Sequence, residues 1–80
     1  MHPTPGEKYR HYKGHEYEIV GIARHSDSLE EHVVYRGLYD SDEFGPNPLW
    51  VRPLSSFIET VTIDGKEQPR FAHIGTIKLT

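Results

Sequence analysis

Leu49-Trp50-Val51-Arg52-Pro53-Leu54-Ser55-Ser56-Phe57-Ile58 holds the only tryptophan of the chain and, two residues on, an arginine. An indole gives a flat π surface and a guanidinium gives a planar fork of donors. Side by side they can hold a carboxylate, a phosphate, a peptide or a stacked base. Side chains alternate along a strand, so Leu49 and Val51 face one way and Trp50 and Arg52 the other. With Leu49 and Val51 in the core, Trp50 and Arg52 become an exposed binding face. Two plainer readings stand beside this one. The faces can be inverted, which makes Trp50 core, or the loop Asp40–Pro48 can cover Trp50 while one of its acids pairs with Arg52.

Tyrosine adds to that surface. Tyr39 and Tyr12, both near turns, join Tyr9, Tyr17 and Tyr35 as candidates for an aromatic groove of the kind that docks extended peptides. A tyrosine brings an apolar body and a polar tip, so Tyr17 and Tyr35 serve equally well as core residues with hydroxyls at the rim. Arg36 and Arg70 complete a candidate set of anion contacts. The ligand-binding residues are thus Trp50, Arg52, Tyr39, Tyr12, Arg36 and Arg70.

Other chemistries find less support. His11 and His15 flank the Lys13-Gly14 turn, but a zinc site needs further ligands and no carboxylate sits at an obvious spacing. His25-Ser26-Asp27-Ser28 contains the residue types of a hydrolytic triad, yet sequence neighbours cannot converge as a triad does. They are turn chemistry. No glycine-rich phosphate loop is present. A catalytic cleft is also hard to carve from so small a chain. The reading is therefore no enzyme, no metal and no cofactor.

These side chains need elements to position them, and the local pattern supplies strands. Lys8–Lys13 is short and aromatic and ends at Gly14. His15–Arg24 alternates through Tyr17 and Ile19, then runs apolar, as a strand does when it becomes covered on both sides. Gly21 marks a bend or bulge there. His32–Asp40 puts Val33, Tyr35, Gly37 and Tyr39 on one face and Val34, Arg36 and Leu38 on the other. Asp40–Pro48 reads as a loop anchored by Phe44. Leu49–Arg52 ends at Pro53, which cannot donate to a ladder, and Leu54–Ile58 fits one turn of 3₁₀ helix. Glu59–Ile63, the Asp64-Gly65 turn and a last strand over Pro69–Ile74 follow.

Five or six short antiparallel strands with no long helix predict an all-β fold, a small SH3-like barrel with a short 3₁₀ turn. Residues 1–6 read as a flexible tail, 7–74 as the barrel and 75–80 as an extension. Eighty residues make one domain and bury only about 60% of the unfolded surface, so nine aromatics must fill much of the core. The absence of cysteine suits a reducing cytosol, and no apolar run reaches the roughly 20 residues of a membrane span. The cytoplasm is the expected compartment, with no membrane partner. Residues 25–48 carry six acids against Arg36 alone, within a formal net charge of −3. That disfavours general affinity for nucleic acid.

The chain also resembles a known family. Tyr9-Arg10-His11-Tyr12-Lys13-Gly14, Tyr17-Glu18-Ile19-Val20-Gly21-Ile22-Ala23-Arg24-His25 and Val33-Val34-Tyr35-Arg36 with Leu38-Tyr39 resemble its first half. Leu49-Trp50-Val51-Arg52-Pro53-Leu54, Phe57 and Pro69-Arg70-Phe71 resemble its second. It is the small bacterial domain of unknown function numbered 1653 (DUF1653), matched over roughly residues 5 to 74. The resemblance implies an SH3-like barrel and a bacterial cytosolic protein, and it implies no activity or cofactor. The loop Asp40–Pro48 is longer and more acidic than the family pattern.

Three functions follow as expectations. The first is a non-catalytic module that binds a peptide or small anionic ligand through its aromatic and arginine surface. The second is single-stranded RNA or DNA binding by stacking on the same rings. The third is a structural or oligomerising domain whose free strand edge pairs with its own copy.

Overall fold

The structure, a computed structural model, describes residues 2–76. It is all-β apart from one helical turn. Strands β1 (Glu7–His11), β2 (Glu16–Arg24) and β3 (Glu31–Gly37) form an antiparallel meander. A two-stranded ribbon follows, β4 (Asp40–Ser41) with β5 (Gly45–Pro46), and then β6 (Leu49–Pro53) returns against β3. The turn α1 (Leu54–Phe57) leads to the hairpin β7 (Thr60–Ile63) and β8 (Lys66–Pro69). Finally β9 (Phe71–Thr76) pairs with β1. The main sheet runs β6-β3-β2-β1-β9.

The core is aromatic because few aliphatic residues are available to fill it. Ile19, Val33 and Phe57 are sealed from solvent, and Tyr9, Tyr35 and Phe71 are buried around them. Phe57 and Phe71 stack face to face at 4.1 Å, and Tyr35 meets both edge-on at 5.5 Å. Such edge-to-face pairs add to simple area burial because the positive ring edge meets the negative face.

A bulge in β2 makes this packing possible. Ile19 lies opposite Tyr35, but Val34 lies opposite Gly21, so Val20 has no cross-strand partner. The extra residue lets Ile19 and Ile22 both face the core although they stand three apart, an odd spacing that regular alternation forbids. The bulge expected at Gly21 is there. The coverage on both sides expected of the apolar run Val20–Ala23 is not: Val20 and Ala23 are exposed.

Four further expectations are corrected. Asp40–Pro48 is not all loop, since Asp40 pairs with Pro46 and Ser41 with Gly45. The Ser41 hydroxyl accepts the amides of Glu43 and Phe44, which closes that ribbon. Leu54–Phe57 is an α turn, not 3₁₀, because the Ile58 amide reaches back four residues to Leu54 O. The return strand after Asp64-Gly65 is Lys66–Pro69, and a new strand starts at Phe71. Both turn residues have positive φ, 52° and 76°, the combination that suits a two-residue hairpin. The segment read as a flexible tail is held at several points. Pro3 is buried, and the Gly6 amide donates to Ile19 O. Gly75 and Thr76 complete β9, and positions 77–80 of the expected extension lie outside the described residues.

Candidate functional site

β6 reverses the expected facing, and this decides where the site is. Trp50 lies opposite Tyr35, and Arg52 opposite Val33. Directly opposed residues share a sheet face, so Trp50 and Arg52 point to the core side with those two residues. Leu49 and Val51 are the exposed pair, at 60% and 62%. The inward face of β3 is fixed by Val33 and Tyr35, and the antiparallel register then leaves β6 no choice.

The inward face is not sealed. A recess of about 230 Å³ opens beside β6, walled by the rings of Tyr17, Tyr35, Trp50 and Phe71. Its polar lining is Arg52, Lys13, His11 and His15, with no acidic residue. Arg52 is held by neutral groups only: its Nε donates to the Tyr35 hydroxyl at 3.4 Å and its Nη1 to Ser56 Oγ at 3.1 Å. Its guanidinium carbon sits 5.6 Å from the centre of the Phe71 ring. Among the described residues no acid forms an ion pair with Arg52. Of the two plainer readings, the inverted facing is the one observed, with Trp50 half-buried on the core side; of the other, the covering loop is present in part, with Phe44 edge-on to Trp50 at 5.4 Å, and the acid partner is not.

The remaining candidates divide. Tyr39 belongs to the recess margin: its hydroxyl accepts the Trp50 Nε1 proton at 3.0 Å, and its ring lies against His15 at 4.4 Å. Its position depends on Gly37, where an added Cβ would come within 2.5 Å of the Tyr39 ring. Tyr12 stacks on His11 but lines a different recess with Arg10, Gln68 and Pro69. Arg36 is on the outward face, opposite Leu49 and 3.7 Å from Glu18. Arg70 is half-buried and paired with Glu59 at 3.5 Å. The expected cluster of six thus reduces to Trp50, Arg52 and Tyr39. Tyr9 is a core residue and does not line this recess; it lines a separate one with Pro3, Ile58 and Pro69.

A profile of the family described as a protein of unknown function (DUF1653) matches residues 7–73. The chain belongs to this family. A crystal structure of a DUF1653 protein from Bordetella bronchiseptica is 39% identical in sequence and superposes with a TM-score of 0.78, covering 95% of this chain and 92% of that one. No curated protein matches the chain.

In this DUF1653 chain the recess also contains residues that sequence reading assigned elsewhere. Lys13, His11 and His15 arrive from the β1–β2 turn, where the His11 amide donates to His15 O and the Lys13 amide to His11 Nδ1. Burial holds the His11 imidazole below its ordinary pKa, and the charges of Arg52, Arg70, Lys13 and His15 add to that. Burial likewise pushes the Tyr17 phenol up, and the neighbouring Tyr39 phenol adds to that. Ser56 could have been found from its spacing to Arg52, four residues on across a helical turn. Phe71 gave no local signal, since only the β1–β9 pairing brings it here. Among the described residues no cluster of three metal-ligating side chains occurs, and no helix is long and apolar enough to cross a membrane.

Proposed function

We propose that this DUF1653 chain is a non-catalytic binding module, and that the recess beside β6 takes a small anionic ligand or an anionic group of a peptide. One observation carries the reading: Arg52 is a fixed cation on an aromatic wall, with neutral partners and no acid in the lining. A guanidinium whose charge is unmatched in a half-buried setting interacts strongly with an incoming anion. The strand order, the bulge in β2 and the helical turn after β6 support an SH3-like barrel as the scaffold. A bacterial, cytoplasmic setting is part of the same proposal.

Single-stranded nucleic acid is the rival reading. It would use the same rings for stacking, but it needs a basic track along the strand. The acidic ribbon β4–β5 stands beside Trp50 through Phe44, and that opposes a phosphate backbone passing there. Self-association through β6 is the other rival, favoured by the exposed Leu49 and Val51 on an edge strand.

Amide chemical-shift mapping at constant ionic strength, with inorganic phosphate and with acetate, tests the proposal. Saturable shifts clustered on Lys13, His15, Trp50 and Arg52 with either anion are expected. Shifts confined to residues 40–46, or shifts that persist unchanged in Arg52→Gln, would contradict it.

A further inference from the structure

Resting on the anion-binding reading, we infer that the group taken by the recess is a carboxylate on a short apolar or aromatic body, not a phosphate. A guanidinium has five N–H donors. On Arg52 the Nε proton goes to Tyr35 and one Nη1 proton to Ser56, while Phe71 lies 5.6 Å from the guanidinium carbon. Three protons remain, the second on Nη1 and the two on Nη2. Two parallel N–H groups match the two oxygens of a carboxylate and satisfy it.

A phosphate would satisfy two oxygens in the same way and leave the others to a lining of aromatic rings whose further polar side chains are His11 and the exposed Lys13 and His15. Buried polar atoms without partners are costly, and a second negative charge increases that cost. The cations available also favour a single charge. Lys13 is exposed at the rim, so the one partly buried fixed cation of the lining is Arg52. His11 Nδ1 accepts the Lys13 amide, which occupies that nitrogen's lone pair. The size of the recess bounds the rest of the ligand. At about 230 Å³ it is below the roughly 300 Å³ where pockets for drug-sized molecules begin, so it takes one side-chain-sized group and not a nucleotide. Four aromatic walls reward an apolar body on that group.

The carboxylate can belong to a free small acid or to the end of a peptide chain, and the test separates these sources. Benzoate, N-acetyl-phenylalanine, benzamide and inorganic phosphate are titrated separately, following the Trp50 indole N–H and neighbouring amides. Benzoate or N-acetyl-phenylalanine is expected to bind saturably, benzamide not to bind, and phosphate to bind at least tenfold more weakly. Response to N-acetyl-phenylalanine alone assigns a chain terminus, and response to benzoate assigns a free acid. Both keep the inference. Arg52→Lys retains charge but loses the fork, and at least a tenfold loss for the carboxylate is expected with no larger loss for phosphate. Should Arg52→Lys not fold, Ser56→Ala frees an Nη1 proton and is expected to narrow the preference over phosphate. Phosphate binding as tightly as benzoate would overturn the carboxylate while leaving an anion site. No response to any anion would overturn both.

Discussion

Arg52 and His11 define the recess by how they are held. The Tyr35 hydroxyl accepts from Arg52 Nε at 3.4 Å, a long hydrogen bond that orients more than it stabilises. Tyr35→Phe is therefore expected to cost no more than about 1 kcal/mol in urea unfolding, yet to weaken anion binding by leaving the guanidinium loose. A loss of stability with unchanged affinity would show that the hydroxyl does not position Arg52. His11 gives a pH dependence. Its folded pKa is depressed below the ordinary imidazole value of 6.5, so the unfolded chain takes up the proton first. Stability from this group is complete above that value and declines as pH falls through it towards the folded pKa. The urea midpoint should drop between pH 7.5 and 5.5, and His11→Gln should flatten that slope. Glu7, also depressed, through its hydrogen bond from the Thr4 amide, acts in the lower window, below 4.5.

At the scale of elements, strand identities were legible and strand facing was not. Alternation in Val33-Val34-Tyr35-Arg36 marked the inward face of β3 because buried and charged residues differ sharply there. β6 has four large residues in a row, Leu49-Trp50-Val51-Arg52, and hydrophobicity alone pointed Leu49 and Val51 inward. The register to β3 settled it the other way, and such long-range pairing leaves no local mark. The β4–β5 ribbon was hidden for a related reason: a two-residue pairing has no periodicity to detect. Asp64-Gly65 was legible because positive φ at both positions demands particular residues; Gly21 marked the bulge only as a strand breaker, since its own φ is not positive and a Cβ there would meet nothing. Gly37 tests the element that holds Tyr39. In Gly37→Ala the new methyl would meet the Tyr39 ring, so the ring must move and the Trp50–Tyr39 hydrogen bond break. The expected readout is an upfield-to-random-coil change of the Trp50 indole N–H with the rest of the spectrum retained. An unmoved indole signal would contradict the arrangement.

For the whole molecule, a chain of 80 residues with six buried hydrophobic core side chains among the described residues has little stability to spare. Phe57 sits at its centre, sealed from solvent and in ring contact with Tyr9, Tyr35 and Phe71. Phe57→Ala should cost about 3–5 kcal/mol, enough to leave much of the population unfolded at 37 °C. A well-folded variant would mean the core is less dependent on that stack. The same aromatic economy explains the recess. Tyr35 and Phe71 serve both the core and the wall of the recess, so the domain does not separate its packing from its surface. Family membership was legible from motifs spread along the chain. The composition of the site was not, because Lys13, Trp50 and Phe71 meet only when the sheet is assembled.

The account depends on Trp50 being wet beside an unmatched cation, and its fluorescence reports this without other tryptophans. Quenching by iodide and by caesium at matched ionic strength, each relative to N-acetyl-tryptophanamide, measures both properties together. Iodide should quench the more efficiently of the two, and Arg52→Gln should bring them level. Caesium quenching equal to or above iodide in the unaltered protein, or no quenching by either, would contradict the site described.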